Sequence, residues 1–288
     1  MKTKILVTGA SGQLGKTIRE LSSLHKEELR FIFTTKDELD ITEKQKVQDY
    51  FSKNKFDYCI NCAAYTNVDE AEHDSKSAFK VNAEGVKQLA IACKDTNTIL
   101  IHISTDYVFD GTKNKPYTEE DETNPINEYG KSKLLGEYYI QKILHEYFII
   151  RTSWLYSIYG KNFVKTIVNK INRDVELQIT TSQKGTPTSC RDLSLFIIHL
   201  LKTRHQDFGL YNFTAQGEAS WYDFAVQISK SFPHYDSSNI SAVKEIITKA
   251  NRPIYSVLNN FKSQKLFSKK TDWQSSTKEV VKKLNISL

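Results

Sequence analysis

Gly9-Ala10-Ser11-Gly12-Gln13-Leu14-Gly15 constrains this chain more than any other stretch, because of what stands on either side of it. Residues 4–8, Lys-Ile-Leu-Val-Thr, form a short apolar run that reads as a buried strand, and residues 16–24 read as a helix. The Gly-x-x-Gly-x-x-Gly spacing between a strand and a helix has a physical use. Glycine permits the tight turn, lets backbone approach a pyrophosphate, and lets the helix pack closely, while the helix N-terminus faces the phosphates. Gly9, Gly12 and Gly15 are therefore candidate cofactor-binding positions, the plain alternative being a glycine turn without a ligand.

The rest of the first half repeats the pattern. Strand-like runs at 30–35, 57–62, 98–103 and 148–151 alternate with helical runs at 43–53, 74–94 and 129–147. Such alternation implies an α/β fold with a doubly wound parallel sheet of Rossmann type. After residue 155 the alternation loosens into a helix at 162–172, a strand at 175–179, a helix at 191–203, a strand at 209–213 and a helix at 220–231. At 288 residues, 39% of them hydrophobic, the chain can bury one large core and a smaller one. We expect a dinucleotide-binding domain over 1–155. Residues 156–288 are then expected to form a smaller, mainly substrate-binding α/β domain, with segments free to return to the main sheet. The second strand ends in Thr34, Thr35 and Lys36, without the acidic residue that would bind a free ribose 2′-hydroxyl; NADP(H) is thus allowed beside NAD(H).

Ser104 and Thr105 follow the strand at 98–103, at the carboxyl end where open α/β sheets bind ligands. In the helix at 129–147, Leu134, Leu135, Tyr138, Ile143 and Leu144 are expected on the apolar side, and Tyr129 and Lys133 lie one turn apart. A free phenol titrates near ~10, and an adjacent ammonium that lowered it by about three units would supply roughly 4 kcal/mol. Such a tyrosine exchanges a proton with a carbonyl or alcohol oxygen near neutral pH, and Thr105 could hold the same oxygen. Two surface residues on an ordinary helix are the alternative.

Other classes of function find less support. Cys59 and Cys62 fall three apart in a strand-like run and so face opposite ways, which argues for core packing and against a dithiol or shared metal. The seven histidines are scattered singly, and His102 reads as structural, so no metal is expected. Forty basic residues against 34 acidic give +6, but the lysines are spread along the chain, whereas nucleic acid binding calls for a concentrated stripe. No apolar stretch reaches membrane-spanning length, and Met1-Lys2-Thr3-Lys4 runs directly into the first strand without a secretory signal, so a cytoplasmic protein is expected.

Taken together, Gly9 to Gly15, Asn61 to Thr66, Ser104 to Gly111, Tyr129 to Lys133, Arg151 to Trp154 and Gly185 to Thr188 resemble the extended short-chain dehydrogenases/reductases. More narrowly, Ser-Thr-Asp-Tyr-Val-Phe-Asp-Gly, Arg-Thr-Ser-Trp-Leu-Tyr and Gly-Thr-Pro-Thr, in this order, resemble the dTDP-4-dehydrorhamnose reductase family. The resemblance implies hydride transfer from NADP(H) or NAD(H) to C4 of dTDP-4-dehydro-L-rhamnose or a related nucleotide sugar. By the same resemblance Tyr129 would donate the proton, Lys133 would assist it and bind the nicotinamide ribose, and Thr105 would touch the reacting oxygen. Asp106 and Trp154 would contact the sugar, Gly12, Gln13 and Leu14 the pyrophosphate, and Thr35, Asp40, Ile41, Ala63, Ala64 and Tyr65 the rest of the cofactor. Some relatives bridge dimers through magnesium with a Glu two residues after the last glycine of the turn; Thr17 stands there in this chain, so a monomer or a metal-free homodimer is expected. Another nucleotide-sugar reductase or epimerase would share the cofactor half, and a non-catalytic regulatory subunit would share the fold.

Overall fold

A computed structural model describes residues 2–244, 246–269 and 271–286. Five strands, β1 (Thr3–Thr8), β2 (Leu29–Phe33), β3 (Tyr58–Asn61), β4 (Ile99–Thr105) and β5 (Tyr147–Thr152), form one parallel sheet with a sixth, Gly209–Asn212. Its order is β2, β1, β3, β4, β5, then Gly209–Asn212. Period-two alternation explains the double winding. Ile5 and Val7 point into one core with the helix Cys190–Thr203, while Leu6, between them, points into the opposite core. A strand that must be apolar on both faces reads as a continuous run, as this one does.

The connections carry helices α1 (Gln13–Ser22), α2 (Lys44–Lys53), α3 (Val68–Ala71), α4 (Ser75–Phe79), α5 (Val86–Asp95) and α6 (Glu128–Ile143). The single helix expected over 74–94 is interrupted by a π-helical stretch, Lys80–Gly85. Asn82 lies within that stretch and is fully buried. Its amide accepts from Tyr65 N (2.8 Å) and donates to Tyr65 O (2.9 Å) and Ser132 Oγ (3.0 Å), tying the loop after β3 to α6. Such widened turns often sit beside functional sites.

Helix α6 also departs from expectation. Its buried face carries Gly130, Ser132, Lys133, Gly136, Glu137 and Ile140, whereas Tyr138 is 49% exposed and Leu134 and Leu135 are only half-buried. Close approach accounts for the small residues. A Cβ on Gly136 would fall 2.2 Å from Asn82 O. The two charged residues find partners inside the protein, Glu137 in an ion pair with Arg151 and Lys133 in hydrogen-bonding groups described below. Gly136→Ala should therefore cost about 1–3 kcal/mol through overpacking, read as a lower urea midpoint with unchanged slope.

A second core gathers the helices Phe163–Ile171, Trp221–Ser229 and Trp273–Ile286 around the parallel strand pair Leu177–Thr180 and Ile240–Val243. The helices begin on side-chain caps that the sequence supplies. Asn162 accepts from Lys165 N, and Ser220 with Asp223 forms a reciprocal capping box. Among the described residues no helix is long and apolar enough to cross a membrane.

Candidate active site

A cavity of about 680 Å³ opens over the carboxyl ends of β1, β3, β4 and β5 and under residues of the second core. The glycine turn forms one end. Gly9 has φ +65°, and a Cβ there would lie 2.5 Å from Ala63 N; a Cβ on Gly15 would lie 2.7 Å from Ala10 Cα. These two glycines serve the turn and the packing behind the wall, while Gly12, Gln13 and Leu14 line the cavity itself. Gly12 caps α1 without a side-chain hydrogen bond, and the first turn holds no acidic residue. The positive end of a ten-residue helix thus presents backbone donors without a competing cap, which fits the diphosphate of a dinucleotide.

Tyr129, Lys133, Thr105, Asp106 and Trp154 all line the same cavity, as do Ala63 and Ala64. The N-cap of α6 sets the first two in place. Asn127 accepts from Gly130 N (2.7 Å) and donates to Asn251 O (2.8 Å), locking the start of the helix to the C-terminal half. Thr105 ends β4, where its hydroxyl donates to Asp106 Oδ1 (3.1 Å) and accepts from Tyr107 N (3.1 Å).

The expected phenol–ammonium partnership takes another form. Lys133 Nζ donates to Ile103 O (2.6 Å) and lies 3.3 Å from His102 Nε2. Burial pushes the Tyr129 phenol up to about 12, opposed by a hydrogen bond with Thr105 and reinforced by the nearby Asp106 charge. The lowering expected from the sequence is therefore absent, because the ammonium is aimed at a backbone carbonyl beneath the cavity instead of at the phenol. A phenol that keeps its proton at neutral pH is a proton donor, the form a carbonyl reduction uses.

Asp106 is 2% exposed, and its Oδ2 has no hydrogen-bond partner among the described residues; neither does Thr152 Oγ1, on the same wall. Burial pushes the Asp106 carboxyl up to about 7. A raised carboxyl pKa favours folding below the unfolded value of about 4, and that advantage is lost as pH rises through the folded value. Asp106→Asn should then gain stability relative to wild type between acid and mildly alkaline pH, measured as the difference in urea midpoints. A pH-independent difference would contradict the buried carboxyl.

Thr35, Asp40, Ile41 and Tyr65 lie off the cavity wall. Thr35 N–H and hydroxyl both donate to Glu38 Oε2 (2.8 and 3.0 Å), and Lys36 Nζ reaches Asp40 at 3.9 Å. A carboxylate thus sits at the end of β2 after all, supplied three residues later by Glu38. Ile41 packs against Gly85, and Tyr65 is held through its backbone by Asn82. Cys59 is core, while Cys62, on the other face as its spacing requires, lines the cavity.

Several wall residues were given no role by the sequence, although two of them fall within the Arg-Thr-Ser-Trp-Leu-Tyr motif. Thr152 ends β5 and Ser153 follows it, while Trp221 and Arg252 arrive from the second half. Trp154 adopts φ +48°, a left-handed conformation costly for a bulky residue, and stacks on Trp221 at 3.6 Å and 7°. Gly185 makes room beneath it, since a Cβ there would lie 2.6 Å from the indole. Arg252 Nη2 donates to Asp69 Oδ2 (2.8 Å), closing the far wall across the two halves.

A family model described as the RmlD substrate binding domain matches residues 3–286. The dTDP-4-dehydrorhamnose reductase of Aggregatibacter actinomycetemcomitans is 38% identical, over 96% of this chain and 98% of its own length. Among solved structures, a dTDP-4-dehydrorhamnose reductase from Clostridium acetobutylicum superposes with a TM-score of 0.91 at 39% identity, covering 98% of this chain and 100% of that one. The dTDP-4-dehydrorhamnose reductase from Bacillus anthracis in complex with NADP gives a TM-score of 0.92 at 35% identity, covering 100% of each chain.

Proposed function

The chain belongs to the family of the RmlD substrate binding domain, and from that premise we propose that it reduces the C4 keto group of dTDP-4-dehydro-L-rhamnose to give dTDP-L-rhamnose. The observation that carries this reading is convergence. Tyr129, Thr105, Asp106 and Trp154 meet in one cavity whose other end is an uncapped helix N-terminus suited to a dinucleotide. NADPH or NADH, when bound, supplies the hydride. Gly12, Gln13 and Leu14 would hold its diphosphate through backbone donors, and Lys133 would hold its nicotinamide ribose.

Within this reading Tyr129 keeps its proton at neutral pH and gives it to the carbonyl oxygen, which Thr105 orients by its hydroxyl. Asp106 Oδ2 and Thr152 Oγ1, both buried without partners, are acceptors for the hydroxyl groups of a sugar, and the Trp154–Trp221 stack offers it an apolar wall. Desolvated polar groups of this kind reject analogues that lack the matching hydroxyl. Residues 1–155 would chiefly bind the cofactor, and the later residues, with Trp221 and Arg252, the nucleotide sugar. The reaction has a soluble, cytoplasmic setting in this proposal, and the protein acts as a monomer or homodimer.

The test is direct. The protein is incubated with dTDP-4-dehydro-L-rhamnose and either reduced nicotinamide, the loss of cofactor absorbance is followed, and the product is compared with dTDP-L-rhamnose by chromatography. Absence of turnover with both cofactors would overturn the proposal, and turnover only with a different keto sugar would redirect it to a related reductase. NADPH is expected to serve at least as well as NADH, as the NADP complex of the Bacillus anthracis relative supports. Glu38 is the feature that opposes a 2′-phosphate. Glu38→Gln should lower the KM for NADPH by about threefold or more while changing that for NADH little.

A further inference from the structure

Beneath the cavity lies a buried chain of polar groups that the proposed reaction leaves unexplained. Asn61 is 1% exposed and His102 is fully buried. Donor and acceptor logic fixes every member of the chain. Ala63 N–H can only donate, and it donates to Asn61 Oδ1 (3.1 Å); Thr8 Oγ1 donates to the same oxygen (2.7 Å). The amide orientation of Asn61 is thereby settled, so its NH₂ faces His102 Nδ1 at 3.1 Å. An NH₂ group also can only donate, and Nδ1 must therefore hold a lone pair. A neutral imidazole then carries its hydrogen on Nε2, the atom 3.3 Å from Lys133 Nζ. A doubly protonated ring is excluded by the same contact with Asn61, and burial, with the Lys133 charge beside it, holds the ring well below its ordinary pKa.

An ammonium has no lone pair to accept that N–H, whereas an amine does, and it can still donate to Ile103 O (2.6 Å). We propose that His102 is a positioning residue for Lys133: the tautomer imposed on it by Asn61 holds the lysine ready to exist as an amine, so that Lys133 can give up or take a proton within the working pH range of the site. The catalytic consequence rests on the function proposed above, whereas the tautomer itself does not. Other groups facing Lys133 fit this account. Glu137, one turn later on α6, favours the ammonium, but its carboxylate is taken by Arg151 (2.7 and 3.0 Å) and by Ser104. Cys62, after β3, is kept a neutral thiol by burial, and Tyr129, one turn earlier, keeps its proton. Asp106, after β4, is a buried acid raised to about 7. Burial of the ammonium is the largest effect on Lys133 itself and brings it down to about 8.

The direct test is nitrogen NMR of the histidine rings in the ligand-free protein near neutral pH, with the His102 signals identified by their loss in His102→Gln. Expected are a lone-pair Nδ1 and a protonated Nε2; a protonated Nδ1, alone or in an imidazolium, would overturn the proposal whatever the enzyme reduces. The second arm is Asn61→Asp. A carboxylate still accepts from Ala63 N–H and Thr8, but it draws a hydrogen onto Nδ1, so Nε2 becomes an acceptor suited to an ammonium. The variant should show the opposite tautomer, and the break that Lys133 is expected to give the kcat/KM profile should move up by about one unit or more. An inverted tautomer with an unmoved profile would remove the claim that His102 governs Lys133. An inactive wild type with the expected tautomer would count against the proposed reaction, leaving the His102 assignment standing.

Discussion

Tyr129→Phe is expected to lower kcat by roughly 10³-fold and to leave NADPH affinity within about threefold of wild type. The substitution removes one oxygen and keeps the ring, which packs edge-on to Tyr107 at 6.0 Å between centroids. Packing is thus preserved. What disappears is the proposed proton donor, and Thr105, though near enough to bond the phenol, is an alcohol too weakly acidic to take its place. Single-turnover absorbance and fluorescence titration with NADPH separate the two quantities. A kcat close to wild type would remove Tyr129 from the mechanism. A large loss of cofactor affinity would mean that the phenol chiefly binds.

Glu137→Ala is expected to destabilise the protein by about 3–5 kcal/mol, because it leaves Arg151 charged and buried without its carboxylate. The pair is bidentate, with Nε and Nη2 at 3.0 and 2.7 Å, and both side chains are almost fully enclosed. Arg151 is already strained for partners: Nη1 has none among the described residues, and the guanidinium lies 5.1 Å over the Phe109 ring. Urea unfolding at neutral pH measures the loss. Replacing both residues, Glu137→Met with Arg151→Met, should recover most of it, since an ion pair in a dry interior is offset by its desolvation and two apolar chains of similar size are not. If the double variant were as unstable as the single one, the defect would be packing around α6, not an orphaned charge.

The two expectations differ in how far the sequence alone could reach them. Tyr129 and Lys133 were legible as a pair because four residues span one helical turn, and the strand, glycine turn and helix from Lys4 onward were legible because period, glycine spacing and helix start are local properties. Helix α6 shows where locality ends. Its leucines suggested one buried face, yet the structure buries Gly136, Lys133 and Glu137, since the partners that make that face tolerable, Asn82, His102 and Arg151, lie on other elements. Thr35 read as a free hydroxyl at the end of β2 until Glu38 folded back onto it.

Local order was therefore determined by the sequence itself: which segments are strands, where the glycine turn lies, and which residues share a helical turn. The tertiary structure alone decided the charge states and the far wall. Lys133 meets His102 and Ile103 instead of the phenol, the Tyr129 phenol rises instead of falling, and Arg252 reaches Asp69 across 183 positions of chain. The physical reason is range. Backbone propensity and periodicity act over a few residues, whereas burial and hydrogen bonding, which set the protonation of a side chain, depend on groups that only the folded sheet brings together.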